Sequence, residues 1–236
     1  MRKQAFVFDV DGTLTKSRCE IDKNHKDLWS KFCERFSVYV VTGSDRAKTQ
    51  EQMLGLQDLA LGVYQCGGNN YWQNGKELYD TPFILDDDMH DHLKFTLKSS
   101  PYINKTGKHI EIRKGMINFS IVGRNADMDE RETYKKYDEL VQQRFNISSE
   151  FNELFDDYVS YVAGDTGIDI FMKNKHKGQV YKALCKHYDI TYFGDKCEQG
   201  GNDYPFAELM TPNDTLHSVK SPEETFALME KYFESV

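Results

Sequence analysis

The chain has 236 residues, enough for a substantial core and for one large or two small domains. With 30 Lys plus Arg against 38 Asp plus Glu the net charge is −8, which disfavours nucleic acid or an anionic membrane as the main partner but leaves room for a local basic pocket. The five cysteines (Cys19, Cys33, Cys66, Cys185, Cys197) form neither a CxxC pair nor a metal-ligand spacing, and no apolar run approaches the ~20 residues of a membrane helix. The chain is therefore expected to be cytoplasmic, with reduced thiols, no membrane partner and no nucleic acid. Met1-Arg2-Lys3 leads straight into an apolar run, which predicts no signal peptide.

That run, Ala5-Phe6-Val7-Phe8, predicts a buried strand ending in Asp9-Val10-Asp11-Gly12-Thr13-Leu14-Thr15. Residues i and i+2 of a strand face the same way, so Asp9 and Asp11 can share one cavity at its carboxyl end, where open α/β sheets bind ligands. Two adjacent carboxylates repel unless a cation or a proton lies between them, and magnesium with phosphate is the usual solution. One carboxylate can attack phosphorus to form an aspartyl-phosphate while the other serves as general acid and base. An Asp-rich turn after a strand is common in itself. An apolar strand running into DVDGTLT is far more specific and resembles the signature of the haloacid dehalogenase-like phosphotransferases.

Apolar spacing predicts a helix over 21–36, then a buried strand over 37–41 ending in Thr42-Gly43-Ser44-Asp45, then a polar helix over 46–54. By itself Ser44 or Asp45 reads as an ordinary N-cap. One strand–helix–strand unit after DVDGTLT, the pattern predicts a phosphate site in which the Thr42 and Ser44 hydroxyls and free N–H groups meet the anion. A third strand is expected over 61–64, a turn at Cys66-Gly67-Gly68-Asn69-Asn70, and a hairpin about Asn74-Gly75.

The pattern then changes. A helix over 85–97, a hairpin of 109–113 with 116–122 about Lys114-Gly115, a charged helix over 128–145, and strands over 158–163 and 168–171 read as an inserted α+β cap spanning 82–170. Residues 1–81 and 171–236 are expected to form a Rossmann-like parallel-sheet core, so the fold class is α/β. The second core segment shows a helix over 178–188 and a strand over 190–193 ending at Gly194-Asp195-Lys196. Gly200-Gly201-Asn202-Asp203 then opens a short helix, and a last strand over 215–219 precedes a helix over 223–233 that begins after Pro222.

Phosphoryl transfer needs a nucleophile, a proton carrier, a metal and cations around the moving oxygens. Asp195 ends a strand as Asp9 does and is the best second magnesium carboxylate, with Asp203 a partner just outside the metal's own ligands. Lys177 can neutralise phosphate and pair with Asp9, in competition with Lys173, Lys175 and Lys182. In the cap, Arg113, Arg124 and Arg131 suggest an anion pocket, because arginine binds phosphate bidentately. Spacing alone fits a solvated face equally well, since Arg131 stands among Asp129, Glu130 and Glu132.

Four stretches go further: Thr42-Gly43-Ser44-Asp45 with Gln50-Glu51-Gln52; IEIRKGMINFSIVGR ending at Arg124; Asp129-Glu130-Arg131 with Tyr134 and Asp138; and GDK…GGND ending at Asp203. In order along nearly the whole chain they resemble the eukaryotic-type phosphomannomutases. The resemblance implies interconversion of mannose 6-phosphate and mannose 1-phosphate with Mg2+, a hexose 1,6-bisphosphate activator, a place in GDP-mannose biosynthesis, and a homodimer formed through the caps. It implies that Asp9 is the nucleophile and Asp11 the general acid and base. Asp9, the backbone carbonyl of Asp11, and Asp195 would hold the metal. Arg18, Arg113, Arg124, Arg131 and Asp169 fall where the family binds the sugar and the phosphate that is not transferred. A mutase must hold its sugar by either phosphate, so it needs a transferring site and a fixed anion site; a phosphatase needs only the first. The competing readings are a magnesium-dependent sugar-phosphate phosphatase and a non-catalytic scaffold, and the intact Asp9, Asp11, Lys177 and Asp195 set argues against the scaffold. Two departures bear on sugar specificity: Gly167 stands where the family usually has serine, and Cys66-Gly67-Gly68 where it has Glu-Asn-Gly.

Overall fold

The computed structural model describes residues 2–235. The chain opens with β1 (Lys3–Phe8), α1 (Lys26–Arg35), β2 (Ser37–Val41), α2 (Arg46–Met53), β3 (Gly62–Gln65), β4 (Asn70–Gln73) and β5 (Lys76–Asp80). It continues through α3 (Asp87–Ser99), β6 (Ile110–Arg113), β7 (Met116–Phe119), α4 (Met128–Val141), α5 (Gln143–Leu154), β8 (Tyr158–Ala163) and β9 (Gly167–Met172). It closes with α6 (Gly178–Leu184), β10 (Tyr188–Gly194), α7 (Tyr204–Ala207), β11 (Thr215–Ser218) and α8 (Pro222–Glu234).

The fold is α/β. One sheet has the order β11-β10-β1-β2-β3-β4-β5, parallel from β11 to β3 and antiparallel at the β4 and β5 edge. β1 is apolar throughout its buried part because both of its faces are covered. Phe6 and Phe8 pack with Trp29, Phe32, Phe193 and Met229, while Ala5 and Val7 pack with Val41, Val180, Tyr192 and Phe206. Strand order reverses at β1, which lies between β2 and β10. The carboxyl ends of these three strands therefore deliver Asp9, Thr42 and Asp195 to one crevice.

The second sheet, β6-β7-β9-β8, is antiparallel. Its strands alternate as the pleat requires. Ile117, Phe119, Ile168 and Ile170 join Met89 and Leu93 of α3, Tyr134 of α4 and Phe151 of α5 in one core. On the other face, Met116 and Phe171 pack with Cys66 of the first sheet's loop, and Asn118 lies opposite Asp169. Among the described residues, no helix is long and apolar enough to cross a membrane.

Several boundaries differ from expectation. The helix expected over 128–145 breaks at Gln142, which takes φ 52°, and a second helix, α5, follows that the sequence did not suggest. The cause is Asp138: its carboxylate accepts from the Arg144 backbone N–H at 2.8 Å and from Arg144 Nε at 2.7 Å, while its carbonyl accepts from Gln142 N–H. Ser148 and Asn152, poor helix formers, are held in α5 by hydrogen bonds to Ser160 of β8. The strand expected over 116–122 stops at Phe119, because Ser120 turns to the Thr166 carbonyl and accepts from Gly123 N–H. The helix expected from 21 starts at Lys26, and the one expected to 188 ends at Leu184. β9 runs to Met172, two residues beyond 170.

Candidate active site

Asp9 is buried at the end of β1, its N–H donating to the Phe193 carbonyl at 2.9 Å. Gly12 then turns the chain with φ +83°, and a Cβ there would lie 2.5 Å from Asp195 Oδ2. Glycine thus serves both the left-handed turn and the close approach of a second carboxylate. Gly12→Ala is expected to cost ~1–3 kcal/mol of stability from the φ alone and to weaken magnesium binding by displacing Asp195. Urea titration and calorimetry check both, and wild-type values in each would contradict the close approach.

Asp9, Asp195 and Asp203 each place a carboxylate oxygen within 4.8 Å of the others. Lys177, completely buried before α6, donates from Nζ to Asp9 Oδ1 at 2.7 Å and to Asp203 Oδ1 at 2.6 Å. Lys173, Lys175 and Lys182 are exposed, so the competition among lysines ends with Lys177. Asp203 also accepts from Tyr192 Oη at 2.5 Å and from Lys196 N–H at 3.0 Å, so its oxygens are spent on orienting Lys177 and the Asp195 loop. Asp195 receives no side-chain or backbone hydrogen bond among the described residues, and Asp9 keeps Oδ2 free.

Two buried carboxylates, Asp9 and Asp203, and the half-buried Asp195 outnumber the buried Lys177 ammonium, with Lys196 Nζ of the same loop 3.8 Å from Asp195. Burial pushes the Asp9 carboxyl well up, against the pull of Lys177. Burial, then the nearby Asp203, pushes Asp195 up to about 7. Hard oxygen donors with this deficit fit a divalent cation such as magnesium, which Asp9 and Asp195 could ligate.

Asp11 is held differently. Its Oδ2 accepts from Ser44 Oγ at 3.0 Å and Lys48 Nζ at 3.1 Å, and its Oδ1 from Gln52 Nε2 at 2.9 Å and Arg18 N–H at 3.3 Å. Burial alone would raise this carboxyl, but the Lys48 ammonium and the hydrogen bonds hold it well below the usual range. Thr42 Oγ1 accepts from Ser44 N–H at 3.0 Å and so shapes the loop before α2.

The second sheet brings the arginines. Arg113 donates from Nη1 to the Gly43 carbonyl at 2.9 Å and from Nε to Glu111 at 2.8 Å, and Arg124 Nε lies 3.2 Å from the same Glu111 oxygen. Arg18, at φ 59°, donates from Nη1 to the Arg124 carbonyl at 3.0 Å. Arg131 is only 6% exposed, and its Nη1 is buried with no partner. Burial, and after it the neighbouring Arg113, lowers Arg124 to about 10; burial and Arg124 lower Arg131. Four arginines here face two carboxylates, Glu111 and the buried Asp169, and this excess of positive charge calls for an anion. One cleft joins Asp9, Asp11, Thr42, Ser44 and Asp195 to Arg113, Arg124, Arg131 and Asp169; Arg18 lies in the adjoining cleft with the same three arginines.

Asp169 Oδ1 accepts from Asn118 Nδ2 at 2.7 Å. A Cβ on Gly167 would lie 2.7 Å from that same Nδ2, so a larger residue there would shift Asn118 against Asp169. In the other departure, Gly67 takes φ +67° with Phe171 where its Cβ would be, and Cys66-Gly67-Gly68 does not line the cleft with Asp9. The sequence alone does not single out Lys48, Glu111 or Asn118. Ser44, Lys48 and Gln52 stand four apart, a stripe that is the signal for Lys48. Glu111 is two from Arg113 on one strand, whereas Asn118 depends on its pairing with β9.

The family described as eukaryotic phosphomannomutase matches residues 25–235. The chain is 32% identical to the phosphomannomutase of Arabidopsis thaliana over 240 residues, covering 97% of this chain and 96% of that one. It is 34% identical to the phosphomannomutase of Oryza sativa subsp. japonica, at 95% and 94% coverage, and 32% identical to that of Saccharomyces cerevisiae, at 96% and 93%. Two solved structures share the fold. Thermoplasma acidophilum 0175 has a TM-score of 0.59 at 16% identity, covering 100% of both chains. The C-terminal domain of Candida albicans trehalose-6-phosphate phosphatase has a TM-score of 0.62 at 15% identity, covering 98% of this chain and 91% of that one.

Proposed function

This chain belongs to the eukaryotic phosphomannomutase family, and on that premise we propose that it interconverts mannose 6-phosphate and mannose 1-phosphate through an aspartyl-phosphate on Asp9. The observation that carries the reading is the two-ended cleft: the Asp9 carboxylate with Lys177 at one end, and the unpartnered Arg131 guanidinium with Arg113 and Arg124 at the other. One end receives the phosphoryl group that moves, and the other holds the phosphate that stays.

A hexose 1,6-bisphosphate first places a phosphoryl group on Asp9. The free hydroxyl of a bound mannose monophosphate, whose own phosphate sits at the arginine end, gives its proton to Asp11 and takes that phosphoryl group, forming a bisphosphate and freeing Asp9. The bisphosphate turns end for end. Asp9 then attacks the other phosphorus, the sugar oxygen leaves with the proton from Asp11, and the isomeric monophosphate departs with the aspartyl-phosphate restored. Magnesium, held by Asp9, the Asp11 carbonyl and Asp195, would neutralise charge on the phosphoryl oxygens. Lys177 pairs with Asp9 and, through Asp203, is fixed against the sheet. Thr42 and Ser44 line the phosphoryl end, and Arg18 and Asp169 border the sugar.

In this reading the seven-stranded sheet with its helices is the catalytic core, and the four-stranded sheet with α3, α4 and α5 is the cap, ending near Met172. A homodimer through the caps would bury the exposed Phe95, Ile103 and Leu140, and the five free cysteines support a cytoplasmic setting. Charge-assisted hydrogen bonds contribute ~1.5–3 kcal/mol. Arg131→Ala is therefore expected to raise the KM for mannose phosphate about 10- to 100-fold while leaving hydrolysis of a small aryl phosphate nearly intact. Equal loss on both substrates would show that Arg131 does not hold the substrate.

A further inference from the structure

A mutase that keeps an aspartyl-phosphate must deny it to water while no sugar is bound. The geometry around Asp11 offers a means. An ionised carboxylate has about four lone-pair directions, and Asp11 meets four donors: Ser44 Oγ, Lys48 Nζ, Gln52 Nε2 and Arg18 N–H. None of the four is a reactant. With its oxygens so occupied, Asp11 has no place to take a proton from water.

Lys48 is the charged side chain among these donors, at the end of a flexible four-carbon stem. It lines both clefts, the one containing Asp9 and the one formed by Arg18, Arg113, Arg124 and Arg131. A phosphate held by the arginines would offer Lys48 a second anion and compete with Asp11 for it. Resting on the mutase reading, we propose that Lys48 is a positioning residue that tethers Asp11 in the sugar-free enzyme and lets it go when a sugar phosphate fills the arginine end. Transfer to the sugar is then favoured over hydrolysis. In hydrolysis a water oxygen bonds to phosphorus, the Asp9 Oδ–P bond breaks, and the water proton goes to Asp11, releasing inorganic phosphate. In transfer a sugar hydroxyl takes the place of water. Both steps need a free Asp11, so the tether decides when either can occur.

The test uses full-length wild type, Lys48→Met, Lys48→Arg and Gln52→Leu. Each is given radiolabelled glucose 1,6-bisphosphate with magnesium, and release of inorganic phosphate is measured without monophosphate. Isomerisation of mannose 1-phosphate is measured in parallel. Lys48→Met is expected to raise the ratio of hydrolysis to isomerisation at least 10-fold, and Lys48→Arg to return it towards the wild-type value. Gln52→Leu, which removes a neutral donor to the same carboxylate, should move the ratio in the same direction and carries the test if Lys48→Met does not fold. A parallel fall in both rates with an unchanged ratio, in whichever variant folds, would overturn the tether and leave the mutase reading standing. A wild-type enzyme that hydrolyses the bisphosphate but never isomerises would overturn the mutase reading and the tether with it.

Discussion

Replacing Asp9 by Asn should abolish isomerisation and hydrolysis together, by at least about 10⁴-fold, as expected when a nucleophile is removed from a covalent mechanism. The amide keeps an oxygen to accept from Lys177 Nζ, now 2.7 Å from Asp9 Oδ1, so the local packing survives. What is lost is the attacking carboxylate and one hard metal ligand. The same change removes a charge whose burial is unfavourable, since burial drives the Asp9 carboxyl upward. The variant should therefore melt no lower than wild type. Full stability with no turnover and no radiolabel retained on the protein after exposure to the bisphosphate is the expected result. Residual turnover of either kind would remove Asp9 from the nucleophile's role.

Lys177→Met should have the second-largest effect, and on stability as well as activity. It leaves Asp9 and Asp203 buried without their shared ammonium, both carboxylates being nearly inaccessible. Removing one partner of a buried ion pair costs ~3–5 kcal/mol, a large part of the ~5–15 kcal/mol that holds a typical protein folded. Urea denaturation of the metal-free protein measures this directly. Magnesium should restore part of the loss by replacing the missing positive charge, because a ligand that binds only the folded state stabilises it. A variant as stable as wild type without magnesium would mean that Asp9 and Asp203 find another partner.

The strand ends were legible because they depend on local pattern and one general rule. A continuous apolar run marks a strand covered on both faces, and ligands gather at the carboxyl ends where strand order reverses. Asp9, Thr42 and Asp195 follow from that alone. The sequence points to Lys177, just before a helix, but leaves Lys173, Lys175 and Lys182 in competition, because only the packing of α6 against β1 and β10 decides which lysine is buried. Spacing leaves Arg131 evenly between an anion pocket and a solvated face, since the sequence does not reveal that α4 turns this side inward, where its Nη1 is left without a partner. The break at Gln142 escaped for a related reason. The Asp138–Arg144 contact spans six positions, outside the spacings by which helical side chains are usually paired. Gly167 departs visibly from the family's serine, but its consequence depends on the strand register that sets Asn118 opposite Asp169.

The central claim, transfer of phosphate between two positions of one sugar, is tested most directly by phosphorus NMR of the protein with magnesium, mannose 1-phosphate and a trace of hexose 1,6-bisphosphate. The two-ended cleft predicts a mannose 6-phosphate resonance that grows only when the bisphosphate is present. Inorganic phosphate as the sole product would contradict it, showing that water takes the aspartyl-phosphate and that the arginine end serves a phosphatase.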